Sequence, residues 1–146
     1  RHDWSKADAA YDHAMTASNA SPLVLNNRGF SRLSQGRLED AAADFVAALQ
    51  KRPDFASARN NLRLTIAMKG DYTRATEGAS AADRPSILNN AGFAAMARGD
   101  YSTAKNLLGQ AIQAKGEYYS VAAANLETVH GLEFGTSGAV PNAATH

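Results

Sequence analysis

Small and apolar residues recur along this chain at the spacing of one buried helix face: Leu38 with Ala41, Tyr72 with Ala75, Tyr101 with Ala104. Each pair follows a glycine turn, in "GRLEDA", "GDYTRA" and "GDYSTA". A glycine can end a helix in the left-handed conformation, and Asp71 and Asp100 are placed to cap the helices that follow. Before each turn comes a helical stretch with two adjacent asparagines: Asn26–Asn27, Asn60–Asn61 and Asn89–Asn90. Asparagine is a mediocre helix former, so its return at one place marks a repeat. Gly36 lies 34 residues before Gly70, and Gly70 lies 29 before Gly99. The pattern predicts an all-α chain of stacked antiparallel helix pairs. Alanines let two helices approach closely, and Phe45 and Leu108 fill the space beyond them.

These periods set the organisation: a repeat domain over 1–130 and a tail over 131–146. "DWSKADAAYDHAM" reads as the second helix of an incomplete pair (3–18), because Trp4 and Ala7 lie 34 residues before Leu38 and Ala41. Full units follow at 22–55, 56–84 and 85–118, and a capping helix at 119–130. Starting mid-pair, the chain reads as a fragment of a longer protein, whose remainder is where a signal peptide or lipid-anchor cysteine would lie. "GLEFGTSGAVPNAATH" reads as a flexible tail by composition.

Composition narrows the function classes. The 146 residues hold 15 basic and 14 acidic side chains without a block, so neither a nucleic-acid stripe nor a polybasic membrane helix is indicated. There is no cysteine, and no apolar run approaches the ~20 residues of a membrane span. His2, His13, His130 and His146 are scattered, with no HExxH pair. "EFGTSGAV" lacks the lysine and the following helix of a phosphate loop. Glu39 and Asp40 sit together at a helix start, where acids suit the dipole. No cofactor, metal or catalytic constellation is expected, and the reading is of a protein that is not an enzyme.

The glycines, alanines and aromatics resemble those of the tetratricopeptide repeat. Gly29, Gly36, Leu38, Ala41, Phe45, Ala48 and Pro53 stand in that family's key slots, as do Gly92, Gly99, Tyr101, Ala104, Leu108 and Ala111 in the third unit. The resemblance implies a right-handed α-solenoid of about three and a half repeats with a C-terminal capping helix. The middle unit departs from it: Arg63 replaces the small residue between the paired helices, and the unit is five residues short. The second helix of that unit is therefore expected to be clipped near Ala82.

In such a solenoid the first helix of each unit lines a concave groove. The candidates for holding a protein or peptide partner are Asn26, Asn27, Phe30, Leu33 and Ser34; then Asn60, Asn61, Leu64, Ala67 and Met68; then Asn89, Asn90, Phe93, Met96 and Ala97. An asparagine amide both donates to and accepts from a peptide backbone, and the apolar residues would anchor side chains. The competing reading makes the second asparagines part of the repeat pattern and the aromatics inter-repeat core. Domains of this kind that clamp a C-terminal carboxylate use lysine and arginine on the groove helices. Here the comparable slots hold Leu23, Ser57 and Ser86, with only Arg59 and Arg63 basic. A chaperone-tail clamp is not expected.

"LNNRGFSRLSQGRLEDAAADFVAALQKRPDFASARNNL", the shortened unit and "LNNAGFAAMARGDYSTAKNLLGQAI" together resemble the TadD-type repeat proteins of bacterial Tad (Flp) pilus systems, as does "YYSVAAANLETV". That resemblance implies an outer-membrane lipoprotein facing the periplasm, a pilotin-like assembly factor that binds part of the secretin in its groove. Two alternatives stay open: a general scaffold or adaptor, including a cytoplasmic or co-chaperone-like one, and a regulatory repeat domain of a larger enzyme.

Overall fold

Eight helices and no strand occur among the described residues, 4–116 and 119–135, of the computed structural model. The chain divides into two compact units, Arg1–Ala79 and Ser80–His146. The first holds α1 (Trp4–Ala17), α2 (Pro22–Ser34), α3 (Leu38–Lys51), α4 (Ala56–Met68) and α5 (Tyr72–Thr76). The second holds α6 (Arg84–Ala97), α7 (Tyr101–Lys115) and α8 (Ser120–Gly135). The chain has the fold of a tetratricopeptide-type α-solenoid, with α2–α3 and α6–α7 as its complete helix pairs.

Local chemistry explains the helix boundaries. Pro22 starts α2 behind Ser21, whose hydroxyl accepts from the Val24 amide at 3.3 Å. After α2, Gly36 takes φ 76°, a conformation costly for a side chain with a Cβ. There the Gly36 amide donates to Leu33 O and the Arg37 amide to Arg32 O, both at 2.9 Å, satisfying two terminal carbonyls. The same turn recurs at Gly70 and Gly99. Asp71 and Asp100 then cap α5 and α7, accepting from Arg74 N at 3.0 Å and Thr103 N at 3.2 Å.

Close approach of the paired helices rests on a glycine facing a large side chain. A Cβ on Gly29 would lie 2.7 Å from the Phe45 ring, and one on Gly92 would lie 2.7 Å from Leu108 Cγ. Ala41, Ala48, Ala104 and Ala111 are fully buried on the partner helices. In the first unit Leu25, Ala48, Phe55 and Ala58 form a cluster that Met15 and Ala20 join from α1 and its turn. In the second, Leu88, Leu108, Ala122 and Val129 are buried.

The middle pair departs from its neighbours more than the sequence suggests. Its second helix, α5, ends at Thr76 instead of reaching Ala82. The cause is an inverted slot pair. Arg63 stands where Gly29 and Gly92 stand, and Ala79 where Phe45 and Leu108 do. No large residue remains to close against the first helix, and the Arg63 guanidinium takes its place. It donates to the carbonyls of Ala75 and Glu77, both at 2.8 Å, at the end of α5. At the other end of the chain, the segment expected as a flexible tail from Gly131 continues as helix to Gly135. Residues 136–146 lie outside the described residues, as do His2, Asp3 and His146.

Candidate interaction face

The asparagine pairs divide their labour. In the first unit Asn26 is buried, at 7% exposure, and Asn27 is exposed. Asn61 Nδ2 on α4 donates to Asn26 Oδ1 on α2 at 3.0 Å, and Asn26 Nδ2 donates to Asn27 Oδ1 at 3.3 Å. The second unit repeats the link: Asn89 on α6 is buried, and its Oδ1 accepts from Asn125 Nδ2 on α8 at 3.0 Å. Asn26 and Asn89 therefore act as buried inter-repeat hydrogen bonds. This departs from the expectation that both amides of a pair face a bound chain. Because Asn26 and Asn89 are buried, each link satisfies an acceptor that would otherwise be costly to leave unpaired. Asn60 is exposed, and Asn61 and Asn90 are half-buried.

The Asn89–Asn125 link also fixes the role of α8. Asn125 bonds to Asn89 as Asn61 bonds to Asn26, so α8 holds the position of a first helix of a further repeat. The sequence signal was the "ANL" of Asn125, an echo of the "NNL" of Asn61 missing one amide.

With that register, four equivalent stripes appear at helical spacing. On α2 the stripe is Leu23, Asn27, Phe30 and Ser34, all exposed, and on α4 it is Ser57, Asn61, Leu64 and Met68. On α6 it is Ser86, Asn90, Phe93 and Ala97, and on α8 Val121, Asn125, Thr128 and Leu132. Phe30 and Phe93 are 52% and 45% exposed, so neither is inter-repeat core. Among the described residues, seven large apolar side chains are exposed, and five of them (Leu23, Phe30, Phe93, Val121, Leu132) fall on these stripes. Exposed apolar groups that recur at equivalent helical positions within each unit are candidates for an interaction site, whereas scattered ones mean little. Leu33 and Met96 are half-buried, and Ala67 is buried and leaves the face. Leu23, Val121 and Leu132 are exposed apolar residues of these stripes that sequence reasoning did not single out as candidates.

The face is weakly charged. Arg59 donates to Pro53 O at 2.8 Å, and Arg63 is committed to the end of α5. Both basic candidates for a carboxylate clamp are thus held by the fold. A buried charge network lies instead between α2 and α3. Asp44, with only 5% of its side chain exposed, accepts from Arg28 at 2.7 and 3.0 Å and from Arg32 at 2.8 Å. The Asp44 hydrogen bond raises the Arg28 guanidinium above its ordinary value, against the lowering by burial. Around Arg37, at the start of α3, Asp40 and Asp8 bind at 2.7 and 3.0 Å. No group of metal-ligating side chains occurs among the described residues, and none of their helices is long and apolar enough to cross a membrane.

A scan against protein-family models gives no match, nor does a search of curated proteins. Among solved structures, the Sgt2 TPR domain from Aspergillus fumigatus is similar, with a TM-score of 0.50 and 21% identity over 86% of this chain and 87% of that one. At that identity the likeness bears on the fold alone.

Proposed function

We propose that this chain, a solenoid of tetratricopeptide type, is a non-catalytic protein-interaction module. It holds extended or helical peptide segments of a partner on the first-helix stripes of its units. The observation that carries this reading is that Leu23 and Phe30 in one unit and Phe93, Val121 and Leu132 in the other are exposed at equivalent repeat positions, beside Asn27 and Asn90. The apolar groups supply anchors, and the accessible amides supply donors and acceptors for a peptide backbone. The commitment of Arg59 and Arg63 within the fold favours a partner bound through apolar and amide contacts over one held by a terminal carboxylate.

The wording of the repeats supports a narrower reading: a pilotin-like factor of a Tad-type pilus, at the periplasmic face of the outer membrane, whose partner is a segment of the secretin. Affinity purification from the source organism, with the native chain and with Phe30→Ala/Phe93→Ala, tests both levels. Enrichment of a secretin subunit that the double variant loses supports the pilus role. A different partner lost by the same variant supports a general adaptor. A partner retained in full by the double variant overturns the stripe as the binding face.

A further inference from the structure

Asn61, Asn26 and Asn27 form a chain of side-chain amides across α4 and α2 of the first unit. Asn61 Nδ2 donates to Asn26 Oδ1 at 3.0 Å, and Asn26 Nδ2 donates to Asn27 Oδ1 at 3.3 Å. The middle member is buried, Asn61 is half-buried and Asn27 is exposed. An amide carries one oxygen and one NH2 group. Asn26 turns its oxygen to one neighbour and its NH2 to the other, so the neighbours must meet it with unlike atoms. Turning Asn26 over would exchange their roles and leave them unlike. What the two keep for a partner is therefore unlike as well: the oxygen at Asn61, and both N–H groups at Asn27.

We propose that this relay makes the stripes of the first unit specific for an extended main-chain segment of the partner, with Asn26 as the positioning residue. The inference rests on the peptide-binding reading and narrows it. One donor and one acceptor match the N–H and C=O that a single residue of an extended strand turns to the same side. The interior of a helix has both groups engaged in its own hydrogen bonds and offers neither. Phe30 and Leu64 follow Asn27 and Asn61 by one helical turn on the same faces, and they supply apolar contacts beside that residue. Because the relay ends at an exposed residue, water takes the last place when Asn27 is truncated, and Asn26 is the member that sets the polarity. In the second unit Asn89 is linked to Asn125, and among the described residues it makes no bond to Asn90. Asn90 is thus committed to neither polarity.

Side-chain amide exchange, followed by NMR on the full isotope-labelled chain, tests the relay. The Asn27 NH2 is expected to exchange as fast as that of exposed Asn60, and the Asn61 NH2 several-fold more slowly. In Asn26→Asp a carboxylate accepts from both neighbours, so the Asn27 NH2 slows as well. In Asn61→Asp the new carboxylate only accepts, Asn26 turns over, and the Asn27 NH2 slows although the change lies on another helix. Circular dichroism checks folding, and Asn61→Asp, at a half-buried position, keeps the test open where Asn26→Asp does not fold. Exchange at Asn27 that is the same in the native chain and in Asn61→Asp overturns the relay. Its use is tested with peptides selected on the full chain from a random phage-displayed library and kept when Phe30→Ala abolishes their binding. Such a peptide is expected to show the Cα shifts of an extended chain when bound. It loses about two- to tenfold in affinity on N-methylation at one main-chain position, and as much with Asn26→Asp, which turns the Asn27 oxygen toward the peptide carbonyl. A Phe30-dependent peptide that binds as a helix, or one indifferent to Asn26→Asp, overturns the proposal and leaves the peptide-binding face standing. A library that yields no Phe30-dependent peptide refutes the face, and the proposal with it.

Discussion

The α2–α3 and α6–α7 pairs are 63 residues apart and share one backbone plan, yet their seams are built from opposite chemistry. Arg28, Arg32 and Asp44 in the first become Ala91, Ala95 and Leu107 in the second. One seam carries a buried ionic triad, and the other is closed by small and branched apolar side chains. Meanwhile the second asparagine, the phenylalanine and the turn glycine recur at Asn27, Phe30 and Gly36 and at Asn90, Phe93 and Gly99. The contrast separates two demands. The seam needs only complementary filling, which several chemistries supply. The stripe keeps an amide and an exposed aromatic in place although the helix pair does not need the aromatic for packing.

The largest expected effect breaks the triad. Asp44→Ala leaves two arginines facing each other in a mostly buried seam, and stability falls by about 3–5 kcal/mol in urea unfolding. Moving the apolar seam across, as Arg28→Ala/Arg32→Ala/Asp44→Leu, recovers most of that loss, because well-packed apolar groups replace buried ion pairs at little cost. A triple variant as unstable as Asp44→Ala would mean that the two seams are not interchangeable. Next in size is overpacking. Ala41→Leu and Gly92→Ala each cost about 1–3 kcal/mol, since Ala41 is fully buried and a Cβ on Gly92 meets Leu108. Neutral results would refute the register of the pairs.

Asparagines give a smaller and sharper contrast. Asn26→Ala and Asn89→Ala each remove an inter-repeat link and cost about 1–3 kcal/mol, because a partner amide loses its acceptor. Asn27→Ala, at an exposed position, stays within about 0.5 kcal/mol in the same unfolding series. Equal losses at Asn26 and Asn27 would contradict the division between link and face. The smallest effect is electrostatic. Hydrogen bonds from Arg37 and Lys69 hold the Asp40 and Glu39 carboxyls below their usual values. Carboxylates so lowered add stability above their unfolded pKa and lose it as the pH falls through the folded one. The melting temperature therefore drops slightly below about pH 4, less in Arg37→Ala and less in high salt.

Repeat phase, helix order and the glycine turns were legible in the residues, because a left-handed turn and a tight helix crossing each admit few side chains. The use of Asn26 and Asn89 was not. Which of two adjacent amides turns toward the next repeat depends on a partner about 35 residues away. Arg63 was visible as a misfit, but its consequence needed Ala79 in the opposing slot, and only the pair explains why α5 stops at Thr76. Asp44 and its arginines hid in a balanced charge count. Phe30 and Phe93 could be read as core or as surface until burial separated them.

The most direct measurement of the central claim is site-specific photo-crosslinking in the source organism. A photoreactive phenylalanine analogue is placed at Phe30, at Phe93 or at Val46, an exposed apolar residue of α3 that lies off the stripes. The account predicts adducts to one partner from positions 30 and 93 and none to that partner from position 46. Adducts to that partner from position 46, with none from 30 and 93, would contradict it.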